Sequence, residues 1–283
     1  MRLKVMLLNM HHGRGCDGRW DMERVLHVLR TAKAEVIGLN EVDRCFSRRS
    51  CYLDQAHWLA QRLGMHHLFG KAQTLGPDRQ FGNVILSRLP ILASQNHLFR
   101  SRIAENRSLL EAKLKFHGRA IKVYLSHLPL NPWLHRKQTD FILHRVTQET
   151  HPVILMGDWN MRPDSAAWRK LSSHLTDISR AKGKKLLTYP APHPRWQLDY
   201  IFVSPEWRVI QAEVSTSVHP SGEPPMRKAC HVARQAFSIV YPDSPTPAKQ
   251  KIPILRSATG QLPFIANSNP RKNSLQVARD RAG

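Results

Sequence analysis

The sequence has few cysteines, no long apolar run and few acidic side chains for its length. The four cysteines among 283 residues are Cys16, Cys45, Cys51 and Cys230, and they form neither a CxxC pair nor a zinc-ligand spacing. No stretch approaches the roughly 20 apolar residues that span a bilayer, and the N-terminal apolar run is too short for a signal peptide. We therefore expect a cytoplasmic protein with reduced thiols and no transmembrane segment.

The shortage of acidic side chains makes the chain strongly basic. There are 43 Lys and Arg residues against 21 Asp and Glu residues, which gives a net charge of +22. Such an excess favours polyanionic partners, namely nucleic acid, anionic lipid surfaces or phosphorylated small molecules. A basic protein without any such partner is the alternative. Charge indicates what approaches the protein but does not identify a reaction.

The composition changes near Tyr241. Residues 242–283 contain several Pro, Ser, Asn, Lys and Arg residues and few periodic apolar positions, which is typical of a disordered segment. We therefore predict one folded domain over residues 1–241 and a basic, disordered tail over residues 242–283, in a monomeric protein. The tail has seven basic and two acidic residues, a net of +5, so most of the positive charge belongs to the folded domain.

Apolar segments of strand length alternate with segments of helical periodicity. Several of the strand segments are apolar throughout, as strands covered on both faces should be. The mixture indicates a layered α/β domain rather than a helical bundle. The predicted strands are Leu3–Leu8, Val36–Leu39, Val84–Leu86, Leu109–Phe116, Ile121–Leu125, Val153–Met156, Leu198–Val203 and Ala236–Val240. The predicted helices are Trp20–Ala32, Leu53–Leu63, Arg136–Gln148 and one that starts near Pro163.

Polar residues end or interrupt these apolar strands at six places. A polar group at such a position must be solvated, hydrogen-bonded or bound to a metal. Each residue taken alone is more often a surface or turn residue. Asp199 lies within an apolar strand, where its carboxylate needs a partner such as a histidine. The six places are Asn9, Glu41, Ser126-His127, Asp158 with Asn160, Asp199 and Cys230-His231.

In this order the segments resemble the endonuclease/exonuclease/phosphatase superfamily, which includes deoxyribonuclease I. The resemblance covers roughly residues 1–241 and rests on GLNEV, SHL, GDWN and LDYIFVS, with GNVILSRLPI as a further family-like strand. Each motif alone is weakly specific, whereas six segments in the right order are strongly specific. The resemblance implies an α/β (α+β) four-layer sandwich, in which two packed, mostly antiparallel sheets are flanked by helices.

The resemblance also implies a metal site. Glu41 would be the principal ligand of a Mg²⁺ or Mn²⁺ ion, and Asn9 would lie beside it or bind the phosphate. Oxygen ligands and a partly hydrated ion suit Mg²⁺. His11 and His12 follow Asn9 and also suggest a metal cluster, but a polar loop after the first strand is the interpretation we favour.

The remaining site residues take their roles from the same resemblance. Asp158 would orient or deprotonate the attacking water, and Asn160 would hold a phosphate oxygen. His127 would donate to the phosphate and so stabilise charge in the transition state. Asp199 would fix the tautomer of His231, whose other nitrogen would face the phosphate or the water.

One segment departs from the family pattern. The last motif of the family normally reads Ser-Asp-His, and this chain has Ala229-Cys230-His231. A cysteine is a softer ligand than a carboxylate and is largely protonated at neutral pH. We expect an active enzyme with weakened or altered metal binding. The alternative is a family member that binds without turnover.

The resemblance implies hydrolysis of a phosphoester bond. We predict a phosphodiesterase or nuclease that acts on nucleic acid, because the folded domain is so basic. A phospholipid or phosphoinositide headgroup is the alternative substrate. A catalytically impaired nucleic-acid-binding protein is the alternative from a different class. Arg49 could line a phosphate-binding rim or a solvated loop, and Trp133 and Trp196 could stack on a base.

Overall fold

The computed structural model describes residues 1–183, 185–190, 193–214 and 234–241, and it has twelve strands in two sheets. The strands are β1 (Arg2–Asn9), β2 (Val36–Arg44), β3 (His66–Thr74), β4 (Gln80–Ser87), β5 (Ile91–Phe99), β6 (Arg107–Phe116), β7 (Arg119–His127), β8 (Val153–Asp158), β9 (Thr176–Asp177), β10 (Asp199–Val203), β11 (Arg208–Val214) and β12 (Arg234–Val240). The helices are α1 (Met22–Ala32), α2 (Gln55–Leu63), α3 (Pro132–Thr147), α4 (Ala166–Ser172) and α5 (Ile178–Ala181).

The two six-stranded sheets have matching topologies. The first has the strand order β11-β12-β1-β2-β4-β3, and the second has the order β5-β6-β7-β8-β10-β9. Each sheet has a single parallel pair, β1 with β2 and β7 with β8, and its other pairs are antiparallel. The predicted pair of mostly antiparallel sheets is therefore confirmed.

Three apolar layers hold the sandwich together. On β1, Leu3, Val5 and Leu7 face the other sheet, whereas Met6 and Leu8 pack under α1 and α2. This alternation follows from the two-residue period of a strand, and it explains why the strand is apolar throughout. A third apolar layer lies between the second sheet and α3 and α4. The order helix, sheet, sheet, helix confirms the four-layer sandwich.

Side-chain caps fix where the four longer helices begin. In each case the side-chain oxygen accepts a hydrogen bond from a backbone N–H in the first turn, which would otherwise have no partner. The helix predicted from Arg136 in fact starts at Pro132, because Asn131 caps it and proline is well suited to the first turn. The capping residues are Asp21, Asp54, Asn131 and Ser165.

All eight predicted strands are present, and the sequence missed four others. The missed strands are β3, β5, β9 and β11. All four are edge strands of their sheets, and β5 is exposed over much of its length. Their side chains are polar because no layer covers both faces, so the apolar signal is weak. The predicted tail from residue 242 lies outside the described residues. In the part of the chain that the structure covers, no helix is both long and apolar enough to cross a membrane.

Candidate active site

The polar residues that end the central strands meet at one edge of the sandwich. In the second sheet, His127 on β7 and Asp199 on β10 both pair with Asp158 on β8. A side chain at Gly157 would place its Cβ 1.9 Å from the carbonyl oxygen of Ser126, so β7 and β8 approach closely only because this residue is glycine. The glycine thus places His127 beside Asp158.

Asn9 connects this edge to the first sheet. Its Nδ2 donates to Glu41 Oε1 at 2.8 Å and to Asp158 Oδ2 at 3.2 Å. Its Oδ1 accepts from the backbone N–H of His11 at 3.1 Å. Asn9 is fully buried and holds two carboxylates from different sheets in one place. In this arrangement it positions Glu41, and its role as a metal ligand stays a prediction.

Glu41 lies at an irregularity in β2 and not at the end of a strand. β2 continues to Arg44, and its pairing with β4 shifts register between Leu39 and Val42. The φ of Glu41 is 58°, in the left-handed region that non-glycine residues rarely adopt. The predicted strand Val36–Leu39 ends before this bulge and therefore does not include it. Bulges often re-aim a side chain next to an active site, and this one leaves Glu41 partly exposed beside Asn9.

His127, Asp158 and Asn160 form a second group of contacts. His127 Nε2 lies 3.8 Å from Asp158 Oδ2 and 3.4 Å from Asn160 Nδ2. The backbone N–H of Asn160 donates to Asp158 Oδ1 at 3.1 Å, and its Nδ2 donates to the carbonyl of Leu128 at 2.8 Å. Asn160 has a φ of 46°, in the left-handed region, so the backbone turns directly after β8. That turn directs its amide toward His127.

Asp199 completes a cluster of three carboxylates. It is 1% exposed, and burial, with the charges of Asp158 and Glu41, raises its pKa well above the ordinary value, although a hydrogen bond from Thr188 opposes the shift. Carboxylates that disfavour one another's charged forms are stabilised by a divalent cation. The oxygen-rich donor set also suits Mg²⁺ or Mn²⁺. The residues present therefore fit the metal that the sequence predicted.

Asn40, which the sequence motifs did not single out, joins the two sheets below the site. Its Nδ2 donates to Asn83 Oδ1 at 2.8 Å and to the carbonyl of Ser126 at 3.2 Å. Its Oδ1 accepts from the backbone N–H of Asp158 at 3.0 Å. All of these groups are buried. An amide within an apolar strand was the available signal, because such a residue needs buried partners.

Asn40→Ala is expected to destabilise the protein by about 3 kcal/mol, because it leaves buried polar groups on both sheets without partners. The free energy of unfolding from denaturant titration, measured without divalent metal, tests this value. Asn96→Ala is the matched control, since its amide makes an exposed bond to the carbonyl of Lys71. Equal losses in the two variants would show that Asn40 does not join the sheets energetically.

The loop between β1 and α1 brings two histidines to the same edge. His12 is 7% exposed. Burial, followed by the positive charges of Arg49 and then His11, lowers the pKa of His12 to about 4, so its ring is neutral at physiological pH. The sequence favoured a polar loop over a metal cluster here, and the structure buries His12 in that loop and places both histidines near Glu41.

Arg49 and Trp133 are two of the residues that the sequence suggested for the border of the site. Arg49 forms a bidentate ion pair with the buried Asp43 and lies over the Phe46 ring, so it is not simply part of a solvated loop. Trp133 is 64% exposed and lies under the Lys137 ammonium. The proposed partner of Asp199, His231, and the unusual Cys230 lie outside the described residues, so the predictions for them stand untested.

Trp196 forms a second aromatic and cationic pair. It is 43% exposed, stacks on Tyr189 and lies under the guanidinium of Arg162. Trp159, between Asp158 and Asn160, is instead fully buried, as a core residue would be. The two exposed tryptophans are therefore each paired with a cation at the surface.

A comparison with protein families matches residues 6–238 to the endonuclease/exonuclease/phosphatase family. Among curated proteins, the chain is 27% identical over 219 residues to the uncharacterized protein YbhP of Escherichia coli (strain K12), which covers 71% of this chain and 84% of that protein.

Two solved structures show the same fold at low sequence identity. The mannosyl-6-phosphatase Bt3783 of Bacteroides thetaiotaomicron aligns with a TM-score of 0.69 and 15% identity, over 84% of this chain and 100% of that one. The TDP2 of D. rerio, complexed with single strand DNA product, aligns with a TM-score of 0.65 and 17% identity, over 84% and 99% of the respective chains.

Proposed function

Because this chain belongs to the endonuclease/exonuclease/phosphatase family, whose members hydrolyse phosphoester bonds, we propose that it is a divalent-metal-dependent phosphodiesterase that acts on nucleic acid. The observation that carries the proposal is the meeting of Glu41, Asp158 and Asp199 with His127 and Asn160 at one edge of the sandwich. Carboxylates with neighbouring hydrogen-bond donors are what an in-line attack on a phosphodiester requires.

Glu41 would hold the Mg²⁺ or Mn²⁺ ion, with Asn9 fixing the direction of its carboxylate. When bound, the ion would polarise the phosphoryl group and neutralise charge that develops during the reaction. Glu41 suits this role because its left-handed backbone turns it out of the buried strand. Asn9 suits the positioning role because its amide already donates to two carboxylates.

The other residues would act on the water and the phosphate. Asp158 orients the attacking water and accepts its proton, while Asn160 and His127 donate to the non-bridging phosphate oxygens. The 3.8 Å between His127 Nε2 and Asp158 Oδ2 leaves both groups within reach of one phosphate and its attacking water. Asp199 would fix the tautomer of His231, whose other nitrogen would face the phosphate or the attacking water.

Two features favour nucleic acid as the substrate. The net charge of +22 attracts a polyphosphate backbone. Two exposed tryptophans, each paired with a cation, would lie near the site and are suited to stacking on bases. Trp133 lies at the start of α3, where His135 Nε2 is 2.7 Å from the carbonyl oxygen of Trp159. Trp196 precedes β10, the strand that carries Asp199. Two residues later, the carbonyl oxygen of Leu198 accepts a hydrogen bond from the backbone N–H of Trp159.

Hydrolysis assays with purified full-length protein test the proposal. We expect cleavage of supercoiled plasmid or abasic duplex, and of bis-p-nitrophenyl phosphate, with Mg²⁺ or Mn²⁺ and none after chelation by EDTA. Phosphoinositide vesicles and p-nitrophenyl phosphate serve as the competing substrates. Faster turnover of either one would contradict the assignment to nucleic-acid phosphodiesters. Salt-sensitive DNA binding without cleavage would instead identify a binding protein.

A further inference from the structure

The loop that follows β1 is held in an unfavourable backbone conformation. His11 has a φ of 44° and His12 a φ of 45°, so two consecutive non-glycine residues lie in the left-handed region. Each such residue costs on the order of 1 kcal/mol or more, and such residues persist where the surrounding structure enforces them. The loop therefore needs specific contacts to keep this shape.

Those contacts come from Trp20 just before α1, from Gln55 at the start of α2 and from Asn9 at the end of β1. The carbonyl oxygen of His12 accepts from Trp20 Nε1 at 2.9 Å and from Gln55 Nε2 at 2.6 Å. Gln55 Oε1 in turn accepts from the backbone N–H of Asp43 at 2.9 Å, and Gln55 is fully buried. The backbone N–H of His11 donates to Asn9. The Trp20 segment, α2 and β1 thus fix the positions of His11 and His12 relative to β2.

The imidazole rings lie beside Glu41. The centroids of the two rings are 4.4 Å apart. One ligand atom from each of His11, His12 and Glu41 lies within 4.8 Å of the other two. His11 Nδ1 is buried, and no described residue provides it with a hydrogen-bond partner. A buried ring nitrogen without a partner is uncommon and costly, whereas a metal ion would satisfy it.

From this geometry we propose that His11, His12 and Glu41 form a transition-metal site, whose two imidazoles and one carboxylate favour Zn²⁺, Co²⁺ or Mn²⁺ over Mg²⁺. Ligand atoms about 2.0–2.2 Å from a common ion lie at most about 4.4 Å apart, so small side-chain rotations close the cluster. Because Glu41 is shared with the proposed catalytic centre, this inference rests on the proposed function.

The choice of metal follows from the ligand types. Imidazole nitrogen suits Zn²⁺ and other first-row transition metals, whereas Mg²⁺ prefers oxygen and keeps several waters. Two histidines and one carboxylate are also the protein ligands of many catalytic zinc sites, which leave a further position for water or substrate. The histidines would therefore convert a carboxylate site suited to Mg²⁺ into one that retains a transition metal when Mg²⁺ is abundant.

Metal titration of the purified full-length protein tests the site independently of catalysis. We expect wild type to bind a single tight equivalent of Co²⁺ that excess Mg²⁺ does not displace, and to show the visible absorption of Co²⁺ bound through nitrogen. Loss of even an outer-shell partner weakens metal binding by about 10–100-fold, so His11→Gln and His12→Gln should each weaken it by at least about tenfold. Unchanged Co²⁺ affinity and spectrum in His11→Gln, the less buried position, would overturn the proposal.

His27→Gln is the matched control, because His27 is exposed on α1 and far along the chain from the cluster; it should bind Co²⁺ as wild type does. Thermal unfolding of His12→Gln without metal shows whether a weakened affinity reflects a lost ligand or a lost fold. Bis-p-nitrophenyl phosphate hydrolysis, measured in parallel, separates the two proposals. If the protein hydrolyses the substrate with Mg²⁺ but binds Co²⁺ equally well without the histidines, the metal-site proposal is wrong and the proposed function stands. If Co²⁺ binding depends on the histidines but the protein hydrolyses the substrate with none of the metals, the proposed function is wrong and the metal site stands.

Discussion

Glu41→Ala is expected to lower kcat/KM for phosphodiester hydrolysis by about 10³-fold or more. A metal ion provides several kcal/mol of transition-state stabilisation, and about 1.4 kcal/mol corresponds to a tenfold change in rate. Glu41 is the partly exposed carboxylate at the bulge in β2, and its Oε1 accepts a hydrogen bond from Asn9 Nδ2. The hydrolysis rate should fall at every substrate concentration, because additional substrate does not restore the missing metal ion.

The measurement is hydrolysis of bis-p-nitrophenyl phosphate across a range of Mg²⁺ and Mn²⁺ concentrations. Glu206→Ala is the control, since Glu206 is exposed in the turn before β11, and its rates should match wild type. Asn9 retains its bond to Asp158 in the variant, so the fold should survive. A Glu41→Ala protein with wild-type rates and metal dependence would place the metal site elsewhere.

Asp158→Asn is expected to lower kcat by about 10²- to 10⁴-fold, the range typical of a lost general base, and to change KM little. The substitution keeps the shape of the side chain but removes the group that takes the proton from water. Both carboxylate oxygens of Asp158 accept a hydrogen bond, one from Asn9 Nδ2 and the other from the backbone N–H of Asn160. The NH₂ group of an asparagine at this position therefore faces one of these two donors. Steady-state kinetics that separate kcat from KM test the role.

The same substitution should raise thermal stability in the absence of divalent metal. Asp158 is among the causes, after burial, that raise the pKa of Asp199, which means that the two negative charges repel each other. Removing one of them relieves that repulsion, a trade of stability for activity that is common at active sites. Asp78→Asn, at an exposed position, should change neither the Tm nor the rate. A lower Tm for Asp158→Asn would show that its hydrogen bonds outweigh the repulsion.

The sequence was sufficient for the strands that form the middle of both sheets. Strands such as β1, β7 and β8 are covered on both faces and must be apolar, so they are readable as continuous apolar runs. The same apolar context made Asn9, His127 and Asp199 recognisable in the sequence as polar residues that require hydrogen-bond or metal partners. Edge strands such as β5 gave no such signal, because half of their surface faces water.

What the sequence by itself determined about this protein is therefore the sandwich of two sheets and a short set of polar residues at strand ends. Only the tertiary structure decided how they act on one another, because Asn9 and Asp158 are 149 residues apart and meet only when the sheets pack. The bulge that turns out Glu41 and the bonds from Asn40 depend in the same way on partners from distant strands. The local sequence pattern indicates whether a side chain is buried, whereas tertiary packing determines which group is its hydrogen-bond partner.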